Sequence, residues 1–235
     1  MRYSRLEFTP MRKYILILVA GAFITACQQN KGLNLQVKVD GLKKGMLYIE
    51  SIKDTVLVQL DSVEVRGNNQ IEFDIALDQP QMLYLHLDKN DENEFNDRLL
   101  FFAEQGQMSI QSSREAFEFD AQVKGSKTDS IYRIYQEVLT SFAKRDIELL
   151  QLSIDPDYAT KLDSISALAA SNERRKFVYV LNFALNQNNS ILAPYSVVYD
   201  GDGLAPKWKD SVYQSLTDDI KNSAMGESLK ALLMN

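Results

Sequence analysis

The apolar pattern of this chain changes period once, near Gly125, and that change restricts the folds open to it. Leu33, Leu35, Val37 and Val39 alternate with Asn34, Gln36, Lys38 and Asp40. A period of two means a strand with one buried face. The same reading predicts strands over 46–52, 56–65, 71–77, 81–87, 99–104, 107–111 and 116–123. Gly67-Asn68-Asn69 between two of these runs reads as a hairpin turn. Short strands at this spacing predict an antiparallel β-sandwich or barrel.

After Gly125 the apolar residues recur every third or fourth position. Ile131, Ile134, Tyr135, Val138, Leu139 and Phe142 form one helical stripe. Asp155-Pro156 offers a cap and first turn for a second helix, continued by Tyr158, Leu162, Ile165 and Leu168. Phe177, Val178, Leu181, Ala184 and Leu185 make a further stripe, residues 186–190 a break, and 191–199 a short helix. Asp200-Gly201-Asp202-Gly203 reads as a loop, Val212, Leu216 and Ile220 as helix, and Gly226 as a helix C-terminus. The expected class is α+β, an N-terminal antiparallel β-sandwich over 33–124 followed by a C-terminal helical module over 125–235.

The N-terminus carries a different signal. Arg12 and Lys13 precede a run of about a dozen apolar and small residues from Tyr14 to Ala26, and Cys27 follows. The run falls short of the roughly 20 apolar residues needed to span a bilayer. Ile24-Thr25-Ala26-Cys27 resembles the lipobox of bacterial lipoproteins, in which the cysteine receives diacylglycerol. The expectation is a signal peptide over 1–26, its start at Met1 or Met11, and a lipidated tether over 27–32 attached through Cys27. Gln28 stands where an inner-membrane retention signal would have Asp, and no acidic cluster follows. By resemblance to known sorting rules, the periplasmic face of the outer membrane is the expected location.

Charge and composition exclude several function classes. The 235 residues carry 26 Lys+Arg, 32 Asp+Glu, one His and one Cys. Four of those basic residues and one acidic residue lie in 1–26, so the chain from Cys27 carries a net charge of −9. Such a chain repels phosphate backbones, which argues against nucleic acid as a partner. One cysteine makes neither an internal disulfide, a CxxC pair nor a cysteine-rich zinc site.

Candidate chemistry is sparse. Asp88-Lys89-Asn90-Asp91-Glu92-Asn93-Glu94 is acidic, but Asn93 and Leu99 stand where a calcium loop needs Gly and Glu, so it reads as a solvated hairpin tip. Asp200 and Asp202 read as loop formers and His86 as a structural strand residue. Ser62 has no G-x-S-x-G context and reads as a strand or turn serine. Trp208 reads as a core cap or partner anchor, and Glu173-Arg174-Arg175-Lys176 as a solvated face. No catalytic, cofactor-binding or metal residue is nominated, and no cofactor is expected.

Several short motifs carry a family likeness: Leu60-Asp61-Ser62-Val63-Glu64-Val65 with Ile71-Glu72-Phe73, then Phe101-Phe102-Ala103-Glu104-Gln105-Gly106, Val123-Lys124-Gly125-Ser126, Asn189-Ser190 near Pro194, and Asn222-Ser223-Ala224-Met225-Gly226. Together they resemble the lipoprotein domain of unknown function 4369, over roughly residues 30–235. In many relatives that domain precedes a membrane-anchored, thioredoxin-like thiol-disulfide oxidoreductase domain. Here the chain stops where that domain would begin and holds no CxxC, so the resemblance brings no redox activity with it. The expected function is a non-catalytic, lipid-anchored envelope module that binds a protein or small ligand. The alternatives are a stand-alone relative docking onto a redox or nutrient-uptake complex, and an unrecognised envelope hydrolase.

Overall fold

A computed structural model of the chain describes residues 32–53, 56–68, 70–89 and 97–234. The expectations for residues 1–31, Cys27 among them, lie outside the described residues, as does most of the acidic segment Asp88 to Glu94. Eight strands come first: β1 (Gly32–Asp40), β2 (Lys44–Lys53), β3 (Val56–Arg66), β4 (Gln70–Ala76), β5 (Gln81–Asp88), β6 (Asp97–Ala103), β7 (Gly106–Ser113) and β8 (Gln122–Lys124). They form two four-stranded sheets, ordered β4-β1-β7-β8 and β3-β2-β5-β6. The inward side chains of both sheets merge into one aliphatic core, with Leu35 and Phe73 from the first sheet against Leu47, Leu85 and Phe101 from the second.

Three sequence expectations fail in the sandwich. First, it is not wholly antiparallel: β1 and β7 run parallel, Leu33 opposite Gly106 through Asp40 opposite Ser113. Second, β3 and β4 do not form a hairpin, because they belong to different sheets. The turn at Gly67 instead carries the chain from one sheet to the other; Gly67 has φ +80° and its N–H donates to Lys43 O at 2.8 Å. A local turn signal marks a reversal but not the sheet in which the next strand pairs. Third, the strand expected over 116–123 shrinks to Gln122–Lys124. Ser112 Oγ donates to Phe117 O at 2.5 Å and Ser113 Oγ to Asp120 Oδ2 at 2.6 Å. These bonds fold the preceding residues into turns, a common way for serine to divert backbone from a ladder.

The helices follow as α1 (Lys127–Ile154), a 3-10 segment (Pro156–Lys161), α2 (Leu162–Asn186), α3 (Leu192–Asp200), α4 (Pro206–Ser215), α5 (Asp218–Lys221) and α6 (Ala224–Met234). Asp155 caps as expected, accepting from Asp157 N at 3.0 Å, but the turn it opens is 3-10. The expected stripes are partly misplaced. Ile134, Leu162, Leu168, Val178 and Leu185 are exposed, whereas Tyr132 and Val180 are buried. Gly226 is not a helix end but sits inside α6. Its missing Cβ would lie 2.1 Å from Ile220 O and 2.6 Å from Lys221 O, so glycine lets α6 close onto the preceding turn.

The helices pack on the outer face of the second sheet. Met82 and Phe102 of that face join Tyr132 and Tyr135 of α1, Val180 of α2 and Tyr195 of α3 in a second, aromatic core. A smaller third core, with Ala184, Val197, Val212 and Leu229, holds the helices together. Strands β5 and β6 are therefore buried on both faces, which is why Met82-Leu83-Tyr84-Leu85 and Leu99-Leu100-Phe101-Phe102 read as continuous apolar runs. Residues Lys31–Asn235 form one compact unit. No helix among the described residues is long and apolar enough to cross a membrane.

Candidate functional site

The sequence motifs between β6 and α1 build a joint between sandwich and helices. Ser126 caps α1 by accepting from Asp129 N at 2.9 Å. Asp129 Oδ1 accepts from Phe102 N at 3.0 Å, and Arg133 Nη2 donates to Leu100 O at 2.8 Å. These bonds lay α1 antiparallel along β6. Glu104 accepts from the backbone N of Lys127 and of Thr128, each at 2.9 Å, and from the Thr128 hydroxyl. A carboxylate there satisfies orphan amides at a helix N-terminus and complements its dipole. Burial alone would raise the Glu104 pKa; the hydrogen bonds from Thr128, Lys127 and Ser126 outweigh it and hold the carboxyl below its usual range. Gln105 Nε2 donates to Leu77 O at 2.7 Å, tying the same corner to the end of β4.

A cleft of about 800 Å³ opens beside this joint, within the range of small-ligand and peptide sites. Its walls come from four places far apart in sequence: Asp78, Gln79 and Pro80 between β4 and β5, Lys127 and Thr128 of α1, the segment Gln187 to Ile191 before α3, and Thr217 to Ser223 around α5. Ile131, Ile191 and Ile220 form apolar floor, and Gln187, Asn189 and Asn222 contribute amides to the rim. Two motifs noted in the sequence, Asn189-Ser190 and Asn222-Ser223, thus meet at one site. Both serines also brace helix starts: Ser190 Oγ accepts from Leu192 N at 3.3 Å and Ser223 Oγ from Gly226 N at 3.2 Å. The N-termini of α1, α3 and α6 border the cleft and Lys127 adds positive charge, with Asp78 and Asp219 offsetting it. This lining can hold a polar ligand by paired donors and acceptors.

A second polar cluster lies on the outer face of the second sheet. Glu50 and His86 are buried there. His86 Nδ1 is 3.0 Å from Glu50 Oε1, Arg98 Nε donates to Glu50 Oε2 at 2.9 Å, and the Tyr48 ring stacks on His86. Burial works to raise the Glu50 pKa, and the bonds from Arg98 and His86 reverse that and lower it. His86 Nε2 has no partner among the described residues. His86 lies on a strand as expected, but its neighbours Glu50 and Arg98 were not foreseen: Glu50 is 36 positions from His86 and 48 from Arg98, and only strand register aligns them.

The remaining candidates scatter. Asp200 accepts from Tyr135 Oη at 2.9 Å, and burial raises its pKa despite that bond and Lys176. Gly203, in the same loop, has its Cβ position filled by the Phe177 ring. Lys89 and Asp97 form an ion pair. Ser62 accepts from Gln59 Nε2 at 3.1 Å on β3. Trp208 is half-exposed on α4 beneath the Lys207 ammonium and lies outside the cleft. Residues 173–175 are exposed on α2. No group of three or more metal-ligating side chains converges among the described residues.

The fold and joint define an α+β protein: a sandwich of two sheets with a helical layer on one of them. Residues 33–132 match the family model described as a domain of unknown function, DUF4369. That span takes in the sandwich and ends at Tyr132 inside α1, so the likeness read over residues 30–235 is carried by the sandwich and the joint. No curated protein matches the chain.

Proposed function

We propose that this chain is an exported envelope protein held to a membrane by acyl chains on Cys27, and that its folded part binds a protein or small ligand without transforming it. The location that fits the sequence after Cys27 is the periplasmic face of the outer membrane. The observation that carries the binding reading is the cleft at the joint, where amide and hydroxyl side chains from four separate segments line one space with Ile131, Ile191 and Ile220. Such a lining recognises by hydrogen bonding and shape. The resemblance to the region that precedes a thioredoxin-like domain favours a redox or nutrient-uptake complex of the envelope as the partner.

Two measurements test this. A photo-crosslinking residue at Asn189 in intact cells should give one reproducible adduct, and Asn222→Trp, which fills the cleft from its exposed rim, should abolish it. No adduct, together with substrate turnover by the purified protein, overturns the binding reading. A clickable fatty acid should label the chain, and Cys27→Ala should remove both the label and membrane association. Labelling that survives Cys27→Ala overturns the anchor.

A further inference from the structure

We infer that the tip of the β2–β3 hairpin is a second membrane contact, seated in the surface of the bilayer that holds the acylated Cys27. The inference rests on the lipid anchor proposed above. It begins from five apolar side chains that remain exposed among the described residues. Ile52 at the end of β2 and Val56, Leu57, Val58 and Leu60 at the start of β3 are 37% to 62% exposed. On β1, β4 and β7 apolar residues alternate inward, and the continuous apolar runs of β5 and β6 are covered on their outer face by the helices. Here Val56, Leu57 and Val58 are consecutive, so both faces of the ribbon are apolar and no single protein surface could bury them. The cause is visible in the register. Ile49 pairs with Asp61 but Glu50 pairs with Gln59, leaving Leu60 as an extra residue. Past Glu50, β2 also stops pairing with β5. A bulge of this kind bends and twists a ribbon away from its sheet.

The position of the tip says what it faces. Gln81 of β5 pairs with Ala103 of β6, Gly32 of β1 with Ala76 of β4, and Leu33 with Gly106. Ser51 and Leu60 line a small hollow with Ala76 and Gln81. The hairpin tip and Gly32 are therefore at the same end of the sandwich. Only five peptide units separate Gly32 from Cys27, a reach of at most about 18 Å. An acyl chain on Cys27 holds this end, and no other, against the lipid. The exposed apolar residues Ile147, Leu150 and Ile154 lie on the part of α1 that runs away from it.

Charge selects the kind of contact. At −9 from Cys27 onward the chain is repelled by anionic headgroups, so a further lipid contact has to be apolar. Lys53 at the exposed end of β2 keeps the insertion shallow, at the headgroup and acyl boundary, about 5–10 Å deep as for other interfacial segments. The contact fixes orientation: a single flexible tether leaves the body free to tumble, and a second point of contact does not.

The test uses the full lipidated chain in vesicles of phosphatidylethanolamine and phosphatidylglycerol. Acylation consumes Cys27, so a cysteine introduced as Leu57→Cys is the one free thiol for an environment-sensitive dye. The dye should shift to the blue on reconstitution and be quenched by lipids spin-labelled near the headgroup. The same dye at Ile154→Cys should do neither. Leu57→Asp together with Val58→Asp should abolish quenching of a dye at Ile52→Cys, while a single cooperative thermal transition shows that the fold persists, since the two side chains are already 43% and 37% exposed. A water-like dye at Leu57 on a chain whose Cys27 carries fatty acid overturns the tip contact and leaves the anchor standing. A chain without fatty acid at Cys27 overturns both. A disulfide between two copies of the Leu57→Cys chain shows instead that β3 pairs edge to edge with a second copy, and overturns the membrane contact.

Discussion

The two principal cores of this protein are made differently. The core between the sheets is aliphatic, built from side chains that alternate along strands, and each residue reaches it by local geometry alone. The core between the second sheet and the helices is aromatic and partly polar. Phe102 stacks edge-on to Tyr195 with centroids 5.2 Å apart, Tyr135 packs on Phe183 at 4.2 Å, and the Tyr135 hydroxyl reaches the buried Asp200. The first can exchange one branched side chain for another at modest cost. The second depends on ring geometry and on hydroxyls that must find partners once buried. The difference teaches that the sandwich supplies shape, and that the helical layer, docked through specific polar bonds, supplies three of the four walls of the cleft at the joint.

The sharpest way to break this distinction is to cut into each core. Phe102→Ala and Phe73→Ala each empty the space of a fully buried ring and should cost about 3–5 kcal/mol. If the two cores are one cooperative unit, both variants should unfold in a single transition in urea, followed by circular dichroism and tyrosine fluorescence together. Two separated transitions for Phe102→Ala would show that the helical layer detaches while the sandwich stays folded. A smaller effect is expected at Gly226→Ala. Alanine gains about 1 kcal/mol of helix propensity over glycine, but its methyl would meet the carbonyl oxygens of Ile220 and Lys221. A net loss of about 1–3 kcal/mol should result, read as a lower midpoint in the same urea experiment. A net gain would mean that α6 is not pressed onto the turn before it.

The smallest expected effect concerns the joint. Glu104→Gln keeps the shape but removes the charge that accepts three bonds at the start of α1, and should cost about 1–2 kcal/mol at neutral pH. The folded pKa of Glu104 is depressed. Its contribution is therefore complete above the usual glutamate value near 4.5 and is lost as pH falls through the lower folded value. The difference between wild type and Glu104→Gln should shrink as pH is lowered from 6 toward 3. A difference that stays constant would remove Glu104 from the joint.

Legibility follows the same division. The strands β1, β4 and β7 could be read from Leu33 to Val39, Ile71 to Ile75 and Met108 to Ile110, because alternation is a local consequence of backbone geometry. The change of period near Gly125 was equally local. The helical faces were less legible. Ile134 and Val178 fit a stripe yet face solvent, since a helix presents more apolar positions than its neighbours cover, and only packing chooses among them. The cleft could not be assembled at all from sequence, although two of its wall segments, at Asn189 and Asn222, had been singled out as motifs.

What this chain determines by itself is the type of most elements: where the backbone alternates, where it coils, and which cysteine follows an apolar run. Those are properties of neighbours in sequence, set by sterics and hydrogen bonds within a few residues. Tertiary structure alone decided that β1 and β7 run parallel, that the turn at Gly67 joins two sheets and not two strands of one, and that Glu50, His86 and Arg98 meet. It also decided that Gln187, Asn189 and Asn222 share a cleft with the start of α1. The reason is that pairing and packing are chosen by the burial of the whole apolar surface at once, and no segment of the sequence carries that sum.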